Sequence, residues 1–174
     1  MITPLAAGEH TVLKVRDLAE SGGLHAVVDA CGVPSVPERA RELGERRAVS
    51  LYTGRPEEEL WAIAPYLFAV DGATYDWITS ELWGTPWGFF AVAGEPTEVL
   101  FEHFRRFVTA RTPDGVEHYF RFYDPRVLRR YLATCTAAER EDFFGPVQAL
   151  ATTDPDSYAV VVTTRPEPAA GSRR

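Results

Sequence analysis

The 174-residue chain carries four histidines, two cysteines and 25 acidic residues, the side chains from which metal sites and nucleophilic centres are built. Their spacing argues against both. His10, His25, His103 and His118 form no HxH, no HExxH and no i, i+4 pair, the arrangements that bring two imidazoles to one zinc ion. His118 falls on the apolar side of a predicted strand and His103 beside an apolar helical stripe. Both therefore read as hydrogen-bonded core histidines. Cys31 and Cys135 lack a CxxC partner and read as buried free thiols of a reducing compartment. His25 and Cys31 share one predicted strand and its end, but six residues of strand hold them ~20 Å apart, too far for a base to activate a thiol. Ser50 has no glycine elbow around it, and neither GxxxxGK[ST] nor GxGxxG occurs. Gly54-Arg55 ahead of a helix start offers backbone N–H groups to an anion, yet Glu57, Glu58 and Glu59 already occupy that positive helix end. No catalytic residue, metal ligand or cofactor is assigned.

What remains is a set of residues suited to recognising another protein. Residues 116–123 alternate, with Val116, His118, Phe120 and Phe122 on one side and Glu117, Tyr119, Arg121 and Tyr123 on the other. Tyrosine and arginine dominate interface hot spots because each covers a large area and keeps a polar handle. Arg126, Arg129 and Arg130 mark the outer side of the next helix. Trp83 and Trp87 stand in WGTPWG, where a glycine beside each indole implies close backbone approach, as a groove wall also requires. The expected partner-binding residues are thus Tyr119, Arg121, Tyr123, Arg126, Arg130, Trp83 and Trp87. A rival reading gathers Tyr52, Asp124 and Arg121 in space as the centre of a small hydrolase or transferase, although Asp124 is better suited to capping a helix.

These residues need elements to position them. LHAVVDA (24–30) reads as a buried strand, followed by a helix from Pro37 to about Leu43 and strands at 48–52 and 66–70. Pro65 ends a short apolar turn. A helix over 74–82, a strand at 87–93 and a helix capped by Thr97 come next. TPDG (112–115) is turn chemistry, so residues 108–123 form an antiparallel hairpin. Asp124-Pro125 opens a helix with an N-cap carboxylate and proline at the first position. Thr136 and Glu139 form a capping box for another, which stops at Gly145-Pro146. A short strand over 147–151 and a last one over 158–164 follow. The interleaving predicts a mixed α/β (α+β) single domain, a mixed sheet with one antiparallel hairpin and flanking helices. Residues 1–23 read as a partly helical extension, 24–164 as the domain and 165–174 as a disordered tail.

Lys14 is the sole lysine among 18 basic residues, and the net charge is −7. An acidic chain lacks the basic footprint that nucleic acid and anionic membranes require. No apolar run approaches the length of a bilayer span, and MITPLAAGEH lacks the basic and apolar regions of a signal peptide. A cytoplasmic location is expected.

LHAVVDAC, LYTGRPEEELWAIAPYLFAVD, WGTPWGFFAV, LFEHFRRFVTARTPDGVEHYFRFYDPRVLRRYL and FFGPVQAL, in this order over residues 24–150, resemble the effector adaptor (chaperone) family of bacterial type VI secretion systems. FRFYDPRVL followed by FFGPV is the most specific part, and WGxxWG supports it. The resemblance implies a non-enzymatic protein that binds a toxic effector in the cytoplasm and helps load it onto the valine-glycine-repeat spike protein. It carries no catalytic residues over to this chain. The extension over 1–23 and the Pro/Arg tail depart from the family pattern.

Overall fold

Residues 24–29 are apolar at nearly every position because both faces of this strand are covered, and all six residues are buried. The computed structural model describes residues 9–52, 60–112, 114–154, 156–157 and 159–166. The strands are β1 (Leu24–Asp29), β2 (Ala48–Ser50), β3 (Pro65–Ala69), β4 (Gly88–Val92), β5 (Thr109–Arg111), β6 (Glu117–Tyr119), β7 (Ala149–Thr153) and β8 (Val160–Thr164). The helices are α1 (Glu9–Glu20), α2 (Ser35–Leu43), α3 (Gly72–Trp77, continued by a π-helical turn over Ile78–Leu82), α4 (Thr97–Arg105), α5 (Pro125–Thr134) and α6 (Ala137–Phe144). The expected turn and anion site at 53–59, Pro113, Tyr158 and the tail from residue 167 lie outside the described residues.

The fold is a mixed α/β domain built on a six-stranded sheet of order β2-β3-β1-β4-β7-β8. The expected mixed sheet is corrected in one respect: every pairing among the described strands is antiparallel. Interleaved strands and helices imply parallel neighbours when each crossover lands beside its starting strand. Here β3 and β4 run the same way but flank β1, which lies between them in the opposite sense, so the helical crossover skips a strand.

Strand alternation divides the apolar residues between two cores. Leu24, Ala26 and Val28 of β1, Phe68 of β3 and Phe90 of β4 point to the face covered by α1, α2 and α3 through Val15, Ala19, Val36, Ala40, Tyr75 and Ile78. Val27, Leu67, Phe89, Ala91 and Leu150 point to the other face. There they meet Leu100 and Phe104 of α4, Leu128 and Leu132 of α5, and Phe143 and Phe144 of α6. Phe122 sits among rings, 5.8 Å from Phe104, 5.7 Å from Phe143 and 6.3 Å from Phe89.

Several local expectations are corrected. The hairpin is a separate two-stranded ribbon, β5 against β6, with every residue of both strands exposed. With no layer over it, His118 is exposed and is not a core histidine. The alternation ends at Tyr119, because the backbone then turns: Phe122 N–H donates to the Phe120 carbonyl and Asp124 N–H to that of Arg121. Phe122 and Tyr123 are therefore both buried, and Arg121 alone points out. Cys31 is exposed because it follows β1 in a turn, where its N–H donates to Asp29 Oδ1 at 2.9 Å. Thr97 is the first residue of α4, whose N-cap is Pro96, and its hydroxyl faces His25 Nε2 at 3.4 Å instead of capping. His103 is a buried core histidine as expected, donating from Nε2 to the Phe143 carbonyl at 2.8 Å.

Candidate functional site

A polar cluster lies where β1 ends, where the chain leaves β2 and where residues 119–124 turn into α5. Asp29 closes β1 on the face opposite Val28, so its carboxylate sits at the sheet end with only 8% of its side chain exposed. Arg121 Nη2 donates to Asp29 Oδ2 at 2.7 Å. The same guanidinium lies 5.8 Å from the centre of the Tyr123 ring. The Tyr123 hydroxyl is hydrogen-bonded to that of Tyr52 at 2.9 Å, and the Tyr52 ring packs on Tyr119 with centroids 5.0 Å apart. Tyr119 is 59% exposed and Tyr123 only 3%.

α5 begins beside this cluster. The Asp124 side chain accepts the Arg126 N–H at 2.9 Å, which makes it the N-cap, and Pro125 follows at the first helical position. Arg126 folds back onto Asp124 through Nε at 2.9 Å and Nη2 at 2.6 Å. Burial pushes the Asp124 carboxyl up, but the Arg126 hydrogen bonds outweigh it and hold the group below the usual carboxylate range.

The phenols are shifted in the direction that disfavours a phenolate. Burial raises Tyr52, as does the nearby Asp29 charge. Burial and the hydrogen bond from Tyr52 push Tyr123 far above the ordinary phenol value. Both hydroxyls stay protonated at neutral pH, so neither supplies a phenolate nucleophile or base.

The structure thus gathers Tyr119, Arg121, Tyr123 and Arg126 at one end of the sheet, with Arg130 exposed further along α5. Burial removes Tyr123 from the residues that can touch a partner, and Trp87 likewise, at 2% exposure in the first core. The close approach implied by the second glycine of WGTPWG is real but internal. A Cβ on Gly88 would overlap the carbonyl of Val27 in the paired strand, so the motif seats β4 on β1 and does not line a groove with Trp87. Trp83 is half-buried against the same core. The rival trio is rearranged: Tyr52 bonds to Tyr123, whose ring lies beside Arg121, and Asp29 takes the place expected of Asp124. Asp29 and Tyr52 lie outside the expected binding set, and only the charge type of Arg121, which needs a carboxylate when partly buried, signals such a partner in the sequence. Among the described residues no group of three His, Cys, Asp or Glu side chains is placed to hold a metal ion. Nor is any helix there long and apolar enough to cross a membrane.

Fold and site together define a helix-covered antiparallel α/β domain with a projecting ribbon and a tyrosine–arginine surface closed by internal ion pairs. The chain belongs to the family described as Domain of unknown function (DUF4123), which it matches over residues 24–142. No curated protein and no solved structure matches it.

Proposed function

We propose that this chain is a non-enzymatic adaptor that binds a type VI secretion effector in the cytoplasm and helps load it onto the valine-glycine-repeat spike protein. The motif likeness over residues 24–150 supports this reading. The observation that carries it is the saturated state of the polar cluster: Asp29 is bound by Arg121, Asp124 by Arg126 and α5, and the Tyr52 and Tyr123 hydroxyls by each other. Such a cluster holds its parts rigid and presents Tyr119, Arg121, Arg126 and Arg130 outward, as a recognition surface requires.

Co-expression with the effector encoded beside it tests the reading. The wild-type chain should co-purify with that effector, and Tyr119→Ala with Arg130→Ala should weaken the complex at least tenfold without loss of fold. A complex that never forms would sink the adaptor reading. A small hydrolase or transferase centred on Tyr52, Arg121 and Asp29 is the second reading, favoured by the contacts that join them through Tyr123. It requires that Tyr52→Phe abolish a measurable turnover.

A further inference from the structure

The six-stranded sheet ends at β2 on one side and at β8 on the other, and the two edges are not alike. β2 is three residues long, and the edge-facing N–H of Ala48 is already donated to the Gly44 carbonyl at 2.9 Å. β8 has five residues, Val160–Thr164, with no charge, proline or glycine in it, and among the described residues no strand lies beyond it. Sheets ordinarily blunt such an edge with charge, proline or a bulge, because an open row of backbone groups is a template for another strand. The ladder to β7 fixes where those groups point. Asp154 N–H donates to the Ala159 carbonyl at 2.7 Å, and Arg165 N–H to the Gln148 carbonyl at 2.8 Å. Backbone groups alternate in direction along a strand, so residues 159, 161, 163 and 165 face β7. The N–H and C=O groups of Val160, Val162 and Thr164 therefore face the open edge.

We propose that β8 is a self-association edge, at which two copies of this chain pair antiparallel about Val162 and join their sheets into one. The edge-facing residues are centred on Val162, so the same strand inverted satisfies all of them. Val162 exchanges both its hydrogen bonds with Val162 of the second copy, and Val160 does so with Thr164. Side chains agree with this register. Val161 stands opposite Thr163, so every facing pair is β-branched and uncharged. The flanking charges are complementary. Arg165 is exposed and makes no ion pair among the described residues; the register sets it opposite Ala159 of the second copy, which is itself opposite Asp154 in the ladder to β7. Residues directly opposite share one face of the sheet, and two strand spacings are about 10 Å, within the combined reach of an arginine and an aspartate. Ala159 is too small to block that path. Asp154 has room for the second cation, because Arg129 approaches its Oδ2 only to 3.7 Å. The contact is independent of the adaptor reading and leaves the tyrosine–arginine surface outside the pairing.

Sedimentation velocity on the full chain tests it, together with amide hydrogen exchange at low and high protein concentration. An interface of one short strand lies at the weak end of specific contacts, so a monomer–dimer equilibrium with a Kd on the order of 10 µM is expected. The Val160, Val162 and Thr164 amides should exchange freely in dilute protein and become protected as the dimer fills. Val162→Pro removes an edge-facing N–H and leaves the ladder to β7 intact, and it should weaken the dimer at least about thirtyfold. Arg165→Glu changes only an exposed side chain and should weaken it about fivefold or more, so the proposal stays testable whatever Val162→Pro does to folding. A chain that stays monomeric at about 200 µM, twenty times that Kd, would overturn the proposal. So would a dimer that Arg165→Glu leaves at full strength. Protection of the three amides at every concentration would also overturn it, because another segment of the same chain would then cover the edge.

Discussion

The Arg121 guanidinium donates to the Asp29 carboxylate across 2.7 Å, joining residues 92 positions apart. The acid is nearly enclosed and the arginine half in solvent, with side-chain exposures of 8% and 49%. Removing one partner of a fully buried pair costs roughly 3–5 kcal/mol, whereas a surface pair contributes about 0–1 kcal/mol. Arg121→Ala should therefore destabilise the domain by about 1–2 kcal/mol in urea unfolding at neutral pH. Adding Asp29→Asn should restore part of the loss, since no charge is then left enclosed. A single variant as stable as wild type would show that the pair is only an exposed contact.

Contacts of that range explain what the sequence left hidden. The Asp124-Pro125 start of α5 and the Thr136/Glu139 capping box were legible because all their atoms lie within four residues. The mixed α/β class followed from periodicity alone. Alternation over 117–119 tells which side chains share a face but neither whether anything covers that face nor that the backbone turns after Tyr119, and the core does not extend over the ribbon that carries His118. The pairing of Tyr52 with Tyr123 depends on a turn at 120–124 that carries no glycine or proline signal before Pro125. Antiparallel pairing throughout was illegible for a similar reason, because no local pattern announces that β1 lies between β3 and β4.

The two phenols predict an alkaline weakness. Burial raises both Tyr52 and Tyr123 above the ordinary phenol value of 10.0. The unfolded chain then releases these protons first. Their contribution is whole below pH 10 and is lost as the pH rises through the folded values, by about 1.4 kcal/mol per pH unit for each proton. Tyr123→Phe should cost about 1 kcal/mol at pH 7, the value of one hydrogen bond, and should flatten the decline above pH 10. Unfolding midpoints measured between pH 8 and 11 for both proteins check this. Parallel curves would contradict it.

The histidines predict the opposite limb. Burial lowers His103 below its ordinary 6.5 despite the opposing hydrogen bond to the Phe143 carbonyl, and burial lowers His25 as well. Both side chains resist charging in the folded state. Stability is then whole above pH 6.5 and falls as the pH drops through the folded values, because the unfolded chain binds the protons more readily. His103→Gln retains a donor for the Phe143 carbonyl and cannot titrate, so its stability should change less between pH 7 and 5 than that of wild type. An unchanged slope would remove His103 from the account. The ring also fills the space over Gly145, where a Cβ would overlap it, so Gly145→Ala should cost about 2–3 kcal/mol at any pH.

Two glycines separate conformational economy from steric need. Gly72 is the first residue of α3, has open space where a Cβ would go and needs no unusual backbone angle. Gly72→Ala should stabilise the domain by about 0.4–1 kcal/mol through the unfolded chain. Gly88 sits in β4 with φ +144°, and a Cβ there would run into the Val27 carbonyl, which belongs to the backbone and cannot swing aside. Any side chain at this position must push β4 away from β1 in the middle of the sheet, breaking the register that pairs Val28 with Gly88. Gly88→Ala should therefore cost more than about 4 kcal/mol, at the far end of single-substitution effects, and yield little folded protein. Thermal unfolding of the two variants beside wild type reads both signs at once. A Gly88→Ala protein with an unaltered midpoint would mean that β1 and β4 are not held as closely as this packing requires.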